Sequence, residues 1–173
     1  MPNSTLDDHF RQLVHAVSHD EILSRPFAKE PDVEREVWRI VWEHCGTCFP
    51  QEDPPGIVLS SQKSLGLPNR SAEKWAELLS SSLADLEVLE AKKRLDIVLQ
   101  LPGKVTIGIE VECMSAQSPA DQFIVGLGQS VLALAHRDRV LLVAHCGPNS
   151  SASRQLQEIA NRINGDIPTW QEE

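Results

Sequence analysis

The stretch that most limits how this chain can fold is RLDIVLQLPGKVTIGIEVEC, residues 94–113. Two runs, Arg94–Leu101 and Val105–Cys113, alternate apolar and polar residues, with Val98 the main exception, around the turn residues Pro102 and Gly103. Period-two alternation on both sides of a Pro-Gly turn predicts a β-hairpin. Its register follows from matching the apolar sets, because a one-residue slip moves every side chain to the other face. A two-residue turn would set Asp96 beside Ile109. A three-residue loop, Pro102-Gly103-Lys104, instead pairs Leu101 with Val105, Leu99 with Ile107, Ile97 with Ile109 and Leu95 with Val111. Only the second brings the apolar residues together, and Gly suits the left-handed position of such a loop.

This register has a cost. It sets Asp96 opposite Glu110, with Glu112 two residues along on the same face. Opposed side chains have Cβ atoms about 4.5–5.5 Å apart, and like charges so placed destabilise a sheet. Folding alone gives no reason for three carboxylates there. A divalent cation does: Mg²⁺ takes oxygen ligands, keeps several waters and needs few carboxylates, and it can polarise a phosphoryl oxygen and acidify a bound water. The competing reading is a solvated polar face on an exposed hairpin. Gly108, on that face, permits close approach of another group.

These residues, with GLGQSVLALAHRDRVLLVA after them, resemble the core of the PD-(D/E)xK nuclease superfamily, which has the restriction-endonuclease-like fold. That pattern is a helix with a Glu, a strand with an Asp, a strand with (D/E)xK, then a helix, often with a Gln, and a final strand. The resemblance covers about residues 70–146. It implies that Asp96 and Glu110 bind Mg²⁺ or Mn²⁺ and that Gln129 orients water or backbone. It also implies that Glu73 or Glu77 supplies the helix carboxylate. Glu112 stands where Lys is usual, and would be a general base or a further metal ligand. The implied activity is hydrolysis of phosphodiester bonds in nucleic acid, DNA ahead of RNA. The alternative is a catalytically inactive relative acting as a binding or regulatory scaffold. The charge of −9, from 16 basic and 25 acidic residues, favours the alternative, since phosphate neutralisation needs Lys and Arg. The basic residues placed to contact phosphates are Lys92, Lys93, Arg94, Arg137 and Arg139.

Elsewhere the spacing predicts helices. Phe10, Leu13, Val14 and Val17 recur at helical intervals after a candidate cap, Thr5, as do Val33, Val37, Ile40 and Val41 after Pro31. The Pro- and Gly-rich GTCFPQEDPPG, residues 46–56, predicts a loop. A helix is expected over about 71–86, another over 119–136, a buried strand over Val140–Ala144, and a last helix over 151–164. The order α–β–β–α–β–α implies an α/β sandwich around a small mixed sheet. Residues 1–68 would be a helical accessory region, for partner contact or homodimerisation, and 69–173 the nuclease-like core. No apolar run approaches the ~20 residues that span a bilayer, and no secretory leader is visible. Four cysteines form no disulfide framework, and one CxxC pair, Cys45 and Cys48, falls short of the four ligands of structural zinc. A reducing, cytoplasmic location without membrane association is the expectation.

Overall fold

The computed structural model of the chain describes residues 6–21, 23, 25–49, 57–60, 85–88, 91–101, 105–114, 119–146, 154–156, 158–159 and 162. Helices α1 (Leu6–Ser18) and α2 (Glu30–Cys48) come first. Strand β1 (Ile57–Ser60) follows, then β2 (Asp85–Val88), β3 (Ala91–Arg94), β4 (Ile97–Leu101) and β5 (Val105–Cys113). Helix α3 (Pro119–Ala133) and strand β6 (Arg139–His145) complete the elements. Strands β1-β4-β5-β6 form a four-stranded mixed sheet in that order, and β2-β3 a separate two-stranded one. Strand β4 runs antiparallel to both of its neighbours, β1 and β5, whereas β6 runs parallel to β5. A parallel neighbour needs a long crossover, and α3 provides it. The chain is therefore a mixed α/β protein.

The hairpin register is the one derived from the apolar pattern: Leu101 pairs with Val105, Leu99 with Ile107 and Ile97 with Ile109. Residues 102–104 lie outside the described residues. On one face of the sheet Ile97, Leu99, Leu101, Ile107, Ile109 and Val111 pack into a single cluster with Leu13, Val17, Val33, Val37, Ile40 and Val41 of α1 and α2. On the other face lies α3, whose Gly126, Ser130 and Ala133 are buried. Coverage on both sides explains why Thr106–Glu112 is buried without a break, polar residues included.

Several expectations are corrected. The strand expected over Arg94–Leu101 is two strands of different sheets, broken at Leu95 and Asp96. The pair Leu95–Val111 does not form, because Asp96 Oδ2 accepts the Val111 N–H at 2.8 Å and so replaces the next ladder bond. Leu95 also changes face. A Cβ added to Gly108 would lie 2.5 Å from Leu95 Cδ1, so the leucine fills the space that the glycine leaves on the carboxylate side. The helix expected over about 71–86 lies mostly outside the described residues, but its end, Asp85 and Leu86, belongs to β2. The loop expected from Gly46 begins later, since α2 continues to Cys48. The strand Val140–Ala144 is half-buried rather than buried, because β6 is a sheet edge. Helices α1 and α2 share the main core cluster with β4 and β5, and β1 pairs with β4. Helical residues at 154–156, 158–159 and 162 fall within the expected last helix.

Candidate carboxylate site

The break at Leu95–Asp96 builds the site. Where the ladder stops, two side chains take over the backbone bonding. Asp96 accepts the Val111 N–H, and the Glu110 carboxylate accepts the Asp96 N–H. Each acid is thus fixed by the other's strand. Glu110 is only 3% exposed and also accepts a hydrogen bond from Gln129 Nε2 of α3. Its Oε2 is buried and has no hydrogen-bond partner. Glu112, 8% exposed, lies under α3 and hydrogen-bonds the side chain of Glu30, in the first turn of α2. Two carboxyl groups can share a hydrogen bond only if one keeps a proton.

The electrostatics follow from crowding without water. Burial, opposed by the Val111 N–H and reinforced by Glu30, pushes Asp96 up to about 6. Burial, then the charges of Asp96 and Glu112, push Glu110 up to about 8. Burial, then Glu30 and Asp96, push Glu112 up to about 7. Desolvation and like charge both favour the neutral acid. Near neutral pH the cluster holds protons that exposed carboxyls would have lost.

Glu112 owes its seat to a glycine. A Cβ on Gly126 would lie 2.5 Å from Glu112 Cγ and 3.1 Å from both Glu112 Oε1 and Leu142 Cδ1. Gly128, one half-turn on, has nothing within 4 Å of the same position. The two alanine substitutions should therefore differ in sign. Gly126→Ala should lower the unfolding free energy, since overpacking typically costs about 1–3 kcal/mol against about 1 kcal/mol of helix propensity gained. Gly128→Ala should raise it by up to about 1 kcal/mol. Urea unfolding of both variants checks this, and equal shifts would refute the seat.

Of the residues singled out in the sequence, Asp96, Glu110, Glu112 and Gln129 are brought together, whereas Glu73 and Glu77 lie outside the described residues. Glu30 was missed. Its only signal was an acidic residue immediately before Pro31 at a helix start, a common helix-dipole arrangement. Arg139 pairs with Asp7 at 2.5 Å and is occupied. Arg137 is not: it is 9% exposed, its stem lies 3.4 Å from the Cβ position of Gly108, and its Nε and Nη2 are buried with no partner. Its one hydrogen bond is from Nη1 to the His136 carbonyl. The side chains of Lys92, Lys93 and Arg94 are outside what is described. Cys48 Sγ lies 3.5 Å from His44 Nε2, and all four cysteines are free.

The donor set suits a hard divalent cation, which prefers carboxylate oxygens and tolerates a shell completed by water, and the unpartnered Glu110 Oε2 is a free donor. Among the described residues, however, no three His, Cys, Asp or Glu side chains form a ready-made cage. Among the same residues no helix is long and apolar enough to cross a membrane. Comparison with known protein families, curated proteins and solved structures finds no match for this chain.

Proposed function

We propose that this chain is a Mg²⁺- or Mn²⁺-dependent phosphodiesterase acting on nucleic acid, DNA ahead of RNA, built on a restriction-endonuclease-like core and working in the cytoplasm. The observation that carries this reading is the hairpin break. There Asp96 and Glu110 hold each other's strands, with Glu112 and Glu30 alongside, and among the described residues no basic group pairs with any of the four. A solvated polar face does not account for it, because Glu110 and Glu112 are buried. The order of Asp96 just before β4, strand β5 with Glu110 and Glu112, helix α3 with Gln129 and the parallel strand β6 also supports it.

In this reading Asp96 and Glu110 hold the cation, whose contribution would be to polarise a phosphoryl oxygen and acidify water. Gln129 fixes the Glu110 carboxylate. Glu112, brought to about 7 by burial and by Glu30, accepts the proton of the attacking water, since a base works best with a pKa near the operating pH. Among the described residues Arg137, with Nε and Nη2 unpartnered, is a cation that a phosphate oxygen could engage. A binding-only scaffold is the second reading. It is favoured by Glu112 in place of Lys and by the charge of −9.

Plasmid DNA and structured RNA incubated with Mg²⁺, Mn²⁺ or EDTA test the enzyme directly: metal-dependent cleavage is expected. Binding is tested by melting. At a hundredfold excess over Kd a ligand of the native state adds about 2.7 kcal/mol, so Mn²⁺ should raise the wild-type Tm. Asp96→Asn should melt above wild type in EDTA and gain little from Mn²⁺. If wild type gains nothing from either ion, the carboxylates repel one another without binding metal.

A further inference from the structure

Helix α3 has two opposite flanks. Gln129 reaches Glu110 on β5, and Gly126 lies over Glu112 and Leu142, between β5 and β6. At 3.6 residues per turn the flank opposite Gln129 overhangs β6, away from β5. That flank carries Ile124, Leu127, Val131 and Leu134, a 3-4-3 spacing that matches the apolar seam of paired helices. Three of the four stand open, Ile124 64% exposed, Val131 57% and Leu134 55%, while Leu127 is half-buried. Beneath this flank, β6 ends the sheet. A cavity of about 290 Å³ is lined by five consecutive β6 residues, Leu141–His145, together with Val17, Ser18, Asp20 and Leu23. Consecutive strand residues point to opposite faces, so all five can line one cavity only if it runs along the strand's free edge. An unpaired edge of this kind is a template for another strand.

We propose that this flank is the interface of a homodimer, with β6 pairing antiparallel to β6 of a second copy and the two α3 seams packed against each other. A partner must offer an apolar helix and a free strand edge, one layer apart. The chain itself offers both. A two-fold axis beside β6 satisfies both at once, as an isologous interface requires. Charge points the same way. Two copies at −9 each repel, yet Ile124, Leu127, Val131 and Leu134 and the β6 residues Val140–His145 fall within the two longest runs of the sequence without Asp, Glu, Lys or Arg, and Asp20 is the one charged residue of the cavity lining. Gln129 lies on the other flank, so the dimer does not cover it.

The inference is independent of the proposed reaction and is tested on the full chain by sedimentation equilibrium between 5 and 200 µM, concentrations chosen to span a micromolar Kd. Wild type should reach twice its 19.2 kDa. The double variant Ile124→Glu, Val131→Glu should stay monomeric with wild-type circular dichroism. Val131→Lys alone serves as a second test if the double variant misfolds. Ile159→Glu, an exposed apolar residue outside the seam, should leave the dimer intact. Amide exchange in β6 should be slower in the dimer than in the monomeric variant. A wild type that is monomeric at 200 µM, a dimer that survives both seam variants, or β6 amides that exchange equally in both states overturns the interface.

Discussion

Glu112→Gln should reduce metal-dependent cleavage by about 10²–10⁴-fold, the usual worth of a positioned general base, while the fold persists. The amide keeps the shape of the side chain under Gly126 and can still hydrogen-bond Glu30, so packing is conserved. What it loses is the ability to take up a proton. Glu112→Lys sorts the two functional readings. In an active ExE enzyme it should abolish activity, because an ammonium would stand where an anion is needed beside Asp96 and Glu110. In a scaffold that lacks only the family's usual lysine, it should create cleavage where wild type has none. Plasmid DNA and structured RNA with Mg²⁺ and with Mn²⁺ are the substrates for all three proteins. Wild-type rates retained by Glu112→Gln would remove this residue from the mechanism.

Metal-free stability should fall as pH rises from 5.5 to 8.5. In the folded chain Asp96, Glu110 and Glu112 are raised to about 6, 8 and 7, from 3.8, 4.5 and 4.5. Between the unfolded and folded values the native state binds more protons than the unfolded one. The stability held by these groups is therefore fully present below about pH 4 and is lost as pH climbs through 6 to 8. Glu110 alone accounts for a loss on the order of a few kcal/mol. The urea midpoint in EDTA should drop across this window, and Glu110→Gln should flatten the drop. Because a cation binds the ionised carboxylates, Mn²⁺ should recover the midpoint at pH 8.5 and do little at 5.5. A midpoint that rises with pH in EDTA would show that the cluster is not strained by its charge.

What the sequence determined by itself was the hairpin and its register. Ile97, Leu99, Leu101, Ile107 and Ile109 match across the strands in only one of the two turn lengths weighed, and the hydrophobic term that selects it is local and period-two. The helices α1, α2 and α3 were legible for the same reason, with the 3.6-residue period in place of two. Asp96, Glu110 and Glu112 were legible as a cluster because extending the register puts them on one face, although the ladder itself stops at Ile97–Ile109. Tertiary structure decided the rest. Asp96 breaks its strand because an acceptor side chain could capture the Val111 N–H, and that competition depends on the facing strand. Leu95 crosses to the carboxylate face because Gly108, distant in sequence, leaves room there. Glu30 joins the site because α2 starts beside Glu112, a contact between residues far apart in the chain that no periodicity encodes. The four residues of β1 fell below any pattern, since a short edge strand is defined by its hydrogen bonds to β4 more than by its own composition. Burial of both faces of β5, which turns three ordinary acids into groups titrating near neutrality, exists only once helices cover the sheet from both sides.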